Sequence, residues 1–493
     1  MLSTPSLSQA SVVYSSNSSI NPTFMKEHSK YVIIHLDIDC FYAQCEEVEN
    51  PSYRHVPLGI QQNQTVSTVN YCARIQHGVP KMTRVSKAKE ICPQIVIIPA
   101  RMEIYREMSR KIFEECIAEK VYHQFHGECV LEICGVDEAF VDVTDEVRWR
   151  LQQLEQQEQH TSQSNDINGA TDVSKESLKR ANRVDPNQCV GAKISLSPKS
   201  QDIPLNIGSQ LAQEIRDEVF QRLGFTLSAG ISHSKFLSKQ ASKKKKPNGQ
   251  ATIYSESFNN EINPLDISII PNIGYQTREK LVQQLHIRTV QEFRGLSYLN
   301  IRKCFNSDKL ASQSLNIANG KYDEEYDRVI SKGPVKSIGS ELTFLPIHNS
   351  YDEVDQKLRI ITQDLAPRIQ RDMQRNQKRF ATTLTLKYCH GGYFDKFHSK
   401  SCKIDSKCYY ASSNFITSHH ENNDIHSRAM MLFKEAVPLP FKLQRIAVSV
   451  SDFQQVHTNG SSTFVSSQKR TLASSSGSGQ QSITAFLSKR VKQ

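Results

Sequence analysis

At 493 residues the chain exceeds what one hydrophobic core usually supports, so several domains are expected. A formal charge of +10 and a pI near 8.9 favour a polyanionic partner, met by patches rather than uniform positivity because 51 acidic residues accompany 61 basic ones. No apolar run approaches the roughly 20 residues of a spanning helix, and the polar opening lacks a signal-peptide core, so an intracellular protein without a membrane partner is expected. The twelve cysteines form no CxxC pair and Cys402, Cys408, His398 and His390 are irregularly spaced, so reduced thiols are expected and no structural metal is assigned.

Residues 1–29 are of low complexity and are expected to be disordered. Tyr31 to Leu36 is apolar and β-branched and reads as a buried strand, followed by a helix-compatible run from Cys40 to Val48. Further strands are expected at Ile95 to Ile98 and Ala139 to Val143, with a helix over Ile104 to Lys120 between them, giving a mixed α and β domain. Leu151 to Ile203 is dominated by Gln, Ser, Asn, Asp and Lys and reads as a surface insertion. Order resumes over Ser209 to Leu223, where Leu211, Ile215, Val219 and Leu223 repeat every four residues and Gly224 supplies the stop. A strand over Phe225 to Ser228 follows.

A helical unit near Phe258 to Tyr326 contains Pro271-Asn-Ile-Gly before a helix, the pattern of a helix-hairpin-helix turn whose backbone amides, at Ile273 and Gly274, bind a DNA phosphate. An ordinary helix-to-helix connection is the competing reading. After Lys332-Gly-Pro, Ser350 and Glu353 make a capping box for a helix with Val354, Leu358, Ile361, Leu365, Ile369 and Met373 on one face. Leu384, Leu386 and Tyr388, then Ile446, Val448 and Val450, alternate with polar residues as half-buried strands. From His457 onward a flexible tail is expected.

Two acidic islands stand at strand ends: Asp37 and Asp39 after the first apolar run, and Asp137 and Glu138 before Ala139-Phe-Val. Acidic residues often end strands and enter turns. The combination of a buried strand leading to Asp-x-Asp and a Gly-x-Asp-Glu before a second strand points instead to Mg²⁺, a hard cation that prefers oxygen ligands and leaves places for phosphate, and hence to phosphoryl transfer. Asp37, Asp137 and Glu138 are the expected ligands, and Asp39 a structural acceptor. Tyr71 and Arg74, three apart, would share one side of a helix and could clamp phosphate oxygens, although a packed Tyr beside a surface Arg reads as well. The lysines ending at Lys246 before Pro-Asn-Gly read as a solvated face, a nuclear localisation signal or a triphosphate contact.

Asp37-x-Asp-x-Phe-Tyr-Ala-Gln, Asn70-Tyr-x-Ala-Arg74, Tyr105-Arg-Glu-Met-Ser, Val136-Asp-Glu-Ala-Phe, Ala229-Gly-Ile-Ser and Lys246-Pro-Asn-Gly occur in the order seen in Y-family translesion DNA polymerases. Pro57-Leu-Gly-Ile-Gln-Gln and Ala88-Lys-Glu-Ile-Cys-Pro-Gln resemble the iota branch of that family. The resemblance covers roughly Tyr31 to Phe453 and is specific because six separated motifs agree.

The resemblance implies an α+β right hand: a palm over 30–257, with fingers over about 41–101 and the insertion over about 151–203, a helical thumb over 258–330 with the hairpin motif, an α/β little finger over 333–455, and a tail over 456–493. It implies two Mg²⁺ ions, with Mn²⁺ as an alternative, held by Asp37, Asp137, Glu138 and the Ile38 carbonyl, with Thr68, Tyr71, Arg74 and Lys246 on the dNTP phosphates. Tyr42 takes the steric-gate position under the sugar; without the family it reads as a core aromatic. Primer-template DNA, low-fidelity synthesis without proofreading, a monomer and a nuclear location are also implied, with salt-sensitive phosphate contacts from thumb and little finger. One departure is Thr65, which stands where iota-type enzymes carry a bulky apolar residue that favours Hoogsteen pairing, so an eta-like enzyme with Watson-Crick pairing is the alternative. The other rivals are a nucleotide cyclase with a two-carboxylate palm and a non-catalytic fork-associated scaffold. Gln480-Gln-Ser-Ile-Thr-Ala-Phe-Leu resembles a sliding-clamp-binding peptide in which Gln480, Ile483, Phe486 and Leu487 make the contact.

Overall fold

A computed structural model describes residues 31–164, 203–376, 379–389, 396–405 and 424–455. The opening segment, most of the insertion and the tail carrying Gln480, Ile483, Phe486 and Leu487 lie outside these. Strand β1 is Ile33–Ile38, followed by β2 (Leu58–Gln62), β3 (Thr65–Val69), β4 (Thr83–Arg84), β5 (Val96–Pro99), β6 (Val130–Ile133), β7 (Glu138–Asp142), β8 (Leu227–Ser232), β9 (Gln250–Thr252), β10 (Ser337–His348), β11 (Phe380–Cys389), β12 (His398–Lys403) and β13 (Lys442–Gln454). They form three sheets, in the orders β6-β7-β1-β8-β9, β4-β3-β2-β5 and β10-β13-β11-β12. The molecule is thus of mixed α and β class with several sheets, as expected.

β1 is the centre of the first sheet and is antiparallel to β7 on one side and β8 on the other. Its two-residue period assigns its faces. Val32, Ile34, Leu36 and Ile38 enter the largest core with Ala139 and Val141 of the paired strand, under helices α2 (Met102–Arg110) and α4 (Ile203–Leu223). Fully burying each of these branched side chains contributes roughly 2 kcal/mol. Ile33, His35 and Asp37 consequently face the other way, opposite Asp142, Phe140 and Glu138. That second face is covered by α5 (Lys235–Ser242). Gly230 makes this possible: a Cβ there would stand 2.0 Å from the Ser238 carbonyl oxygen and 2.2 Å from the Ser242 nitrogen. Any side chain at this point of β8 would push α5 off the sheet.

Helix boundaries follow local chemistry. α1 (Phe41–Glu49) leaves β1 directly, and α4 carries Leu211, Ile215 and Val219 fully buried before stopping at Gly224, whose φ of +71° suits glycine. The Ile104 to Lys120 helix begins as α2 and continues in wider π-type turns over Lys111–Ile117. α3 (Thr144–Ser164) runs past Leu151, where the polar composition begins, and Leu151 and Leu154 pack against the core. Two leucines one turn apart are enough to carry a polar helix onward.

The helical unit packs Phe258, Ile267, Leu281, Phe293 and Ile301 around Phe236 and Leu237 of α5, so α5 belongs to both units. In the C-terminal unit Ser350 caps α7 (Tyr351–Arg375), accepting from the Glu353 N–H at 3.2 Å, and Val354, Leu358, Ile361, Leu365 and Ile369 are buried against β10 and β13 as their spacing predicts.

Asp327 joins the helical unit to α5. Its carboxylate accepts from the Phe236 N–H at 3.4 Å and the Asp323 N–H at 2.9 Å, yet burial outweighs these bonds and pushes the carboxyl up to about 6. A folded pKa raised above the unfolded value means that the stabilisation is fully present below the unfolded value of 3.8 and is lost as pH rises through about 6. Relative to the parent, Asp327→Asn is expected to gain up to about 3 kcal/mol between pH 4 and pH 7, read from urea unfolding at each pH. Parallel curves for the two proteins would show that the carboxyl is not held in an apolar site.

Candidate active site

The β1–β7 register sets Asp37 directly opposite Glu138 on the α5-facing side of the sheet, and the Ile38 N–H donates to the Asp137 carbonyl at 2.8 Å. The two acidic islands are therefore brought together by strand pairing. Asp137 is half-buried, and partial burial, reinforced by the negative charges of Asp37 and Glu138, raises its carboxyl above the usual value. Glu138 goes the other way, down to about 2, because the adjacent His35 ring and the Lys239 ammonium favour its charged form.

Basic groups share this cluster. Lys246 pairs with Asp37, and the Lys239 Nζ donates to both Glu138 oxygens at 2.9 and 2.7 Å. Among the described residues no three His, Cys, Asp or Glu side chains converge on a point that would hold an ion. Two of the three carboxylates expected from the sequence, Asp37 and Glu138, are paired with lysines. The donor set itself suits a hard cation: three carboxylates on adjoining positions, with mutual repulsion that a divalent ion would relieve.

His35 was not singled out from the sequence. It is fully buried beneath Glu138, with Nε2 3.4 Å from a Glu138 oxygen and Nδ1 2.8 Å from Ser242 Oγ. Burial lowers its pKa, and the ring meets Ser242 at hydrogen-bond distance through Nδ1, while Nε2 approaches Glu138 without making a hydrogen bond among the described residues. The sequence did hold a signal: His35 interrupts an apolar strand two residues before Asp37 and so shares its face.

Asp39 stands as the structural acceptor. It is 1% exposed and accepts from Ser228 Oγ at 2.7 Å, Thr226 Oγ1 at 3.1 Å, the Asn248 N–H at 2.7 Å and the Tyr71 hydroxyl at 3.4 Å. One carboxylate thereby ties β1 to β8, to the Lys246-Pro-Asn-Gly turn and to the second sheet's Tyr71. Arg74 lies on a π-type turn, Cys72–Gln76, with its guanidinium 5.8 Å from the Tyr71 ring centre, so the two side chains do share a side. Thr68 and Thr65 lie on β3, opposite Ile60 and Gln62.

Tyr42 is half-buried on α1 and stacks on Tyr105, with ring centroids 4.7 Å apart and planes at 16°. Ile273 is buried in the helical core, and its N–H donates to the Ile270 carbonyl at 3.1 Å. Gly274 caps α6 (Tyr275–Leu285) and has open space where a Cβ would stand.

Residues 36–243 match the model of the impB/mucB/samB family, and residues 335–463 match that of the family's C-terminal domain. The chain belongs to this family. The Y-family resemblance of its motifs therefore stands. Relatives include DNA polymerase iota of Homo sapiens, 32% identical over 436 residues covering 87% of this chain, and that of Mus musculus, 32% identical over 428 residues. This family member spans about half the length of those two relatives, 53% of each. DNA polymerase IV of Vibrio parahaemolyticus is 28% identical over 347 residues, 77% of its own length.

Proposed function

We propose that the chain is a template-directed DNA polymerase of the translesion type, adding deoxynucleotides to a primer 3′ hydroxyl by phosphoryl transfer without proofreading. The observation that carries this reading is the pairing of Asp37 with Glu138 across β1 and β7, next to Asp137, in a chain whose relatives are named DNA polymerases. In this reading the first sheet is the palm, the second the fingers, the helical unit the thumb and the C-terminal unit the little finger.

Asp37, Asp137, Glu138 and the Ile38 carbonyl would hold two Mg²⁺ ions, with Mn²⁺ as an alternative. Such ions, when bound, lower the pKa of the primer hydroxyl and offset charge on the leaving pyrophosphate. Lys246, paired here with Asp37, would hold the triphosphate, and Tyr71 and Arg74 would hold its phosphates from the fingers with Thr68. Lys239 and His35 keep Glu138 ionised and fixed in direction. The ring of Tyr42 lies under the sugar. The Gly274 backbone amide meets a DNA phosphate without reading sequence, beside Ile273, whose own N–H is held by the Ile270 carbonyl. The protein acts as a monomer in the nucleus, tethered to a sliding clamp through Gln480, Ile483, Phe486 and Leu487 of the tail.

Single-nucleotide insertion by the purified protein opposite each of the four template bases tests the reading. Insertion with Mg²⁺ is expected, and its absence would overturn the polymerase assignment. With Thr65 presenting no bulky side chain, selection is expected to be similar across template bases; strong template-base asymmetry would show iota-like Hoogsteen pairing instead.

A further inference from the structure

Two helices meet behind Tyr42 through matching pairs of residues. On α1, Tyr42 and Glu46 are four apart and so lie on one side. At the start of α2, Arg101 and Tyr105 have the same spacing, and the Tyr105 N–H donates to the Arg101 carbonyl at 3.2 Å. Across the contact the Tyr105 ring stacks under Tyr42, while the Tyr105 hydroxyl donates to Glu46 Oε1 at 2.6 Å. Arg101 closes the square: its Nε donates to Glu46 Oε1 at 3.0 Å, and its terminal nitrogen pairs with both Glu46 and Glu49. Tyr105 is fully buried and Glu46 is 3% exposed.

A buried carboxylate held by a guanidinium and a phenol is an anchor that does not shift easily, since breaking it strands a charge away from water. It serves no catalytic group directly. Among the described residues its partner at the site is the ring of Tyr42, which Asp137 and Arg106 are close enough to influence electrostatically. A lone aromatic at this place would relieve a clash with a 2′ hydroxyl by sinking toward the core, and the nucleotide would remain. With a pinned ring behind it, Tyr42 cannot sink, and the ribonucleotide is expelled instead.

We propose that Tyr105 is a positioning residue for sugar selection, acting through Tyr42 by fixing the height of that ring, with Glu46 and Arg101 holding Tyr105 in turn. This inference rests on the polymerase reading above.

The measurement is the ratio of kcat/KM for a dNTP to that for the matching rNTP in single-nucleotide insertion. Tyr105→Leu is expected to lower the ratio about tenfold or more through better rNTP use, with dNTP kcat/KM held within about threefold. Tyr105→Phe keeps the buried volume and the stack but loses the pin, and is expected to lower the ratio by about threefold; it tests the inference even where the leucine variant does not fold. In a Tyr42→Ala background, Tyr105→Leu is expected to add nothing, because the ring through which it acts is gone. An unchanged ratio in both Tyr105 variants, or the same loss with Tyr42 removed, would overturn the inference while leaving the polymerase reading intact. Failure of the parent protein to insert any dNTP would remove that reading itself, and an unchanged ratio in Tyr42→Ala alone would remove the gate and this inference with it.

Discussion

Replacing Asp137 and Glu138 together with alanine is expected to drop primer extension by about 10³-fold or more while leaving DNA affinity unchanged or slightly tighter. The two halves of this expectation have separate causes. Extension depends on carboxylates offsetting cation charge beside the triphosphate, and a loss of about 4 kcal/mol in transition-state stabilisation corresponds to that factor. DNA affinity comes from basic groups on phosphates, and removing two negative side chains cannot weaken it electrostatically. Extension assays and fluorescence anisotropy on the same preparations separate the effects. Retained extension would sink the assignment of Asp137 and Glu138, whereas loss of both activities would mean that the β1–β7 pairing has come apart.

Asp39→Asn is expected to lower stability by about 2–4 kcal/mol and to raise the KM for dNTP by roughly tenfold. The carboxylate accepts hydrogen bonds from Ser228, Thr226, Asn248 and Tyr71, in a site that is 1% exposed. An amide supplies one acceptor oxygen and turns an NH₂ group toward the remaining donors, which leaves donors facing each other without water. Two of the lost partners matter beyond stability: Asn248 follows Lys246 in the turn, and Tyr71 sits beside Arg74. Losing the bracket releases both phosphate-directed groups at once. Thermal unfolding and steady-state kinetics measure the two effects, and an unchanged unfolding midpoint would show that Asp39 is not the tie between the sheets.

Local signals were legible wherever a single element carries them. The apolar run of β1, the alternation in β13, the four-residue repeat of α4 with its Gly224 stop, and the capped apolar face of α7 all depend on neighbours within one or two turns. α3 was harder, because Gln-rich composition hides two leucines whose value depends on a core already present beneath them. His35, Lys239 and Ser242 escaped notice for a related reason. Each is ordinary in its own segment, and each gains its role from a partner on another element: His35 from Glu138, Lys239 from Glu138, and Ser242 from His35. Tyr105 was visible as part of a motif, while its ring contact with Tyr42 joins two helices that the sequence does not place together.

The amino-acid sequence by itself determined which residues are acidic at strand ends, that β1 is a buried apolar strand, and to which family the chain belongs. Tertiary structure alone decided which base each acid meets. The strand period is local, but the pairing of Asp37 with Lys246 and of Glu138 with Lys239 and His35 depends on the β1–β7 register and on how closely α5 seats over Gly230. Electrostatic energy falls with distance, and those distances are set by packing between segments that are remote in the chain.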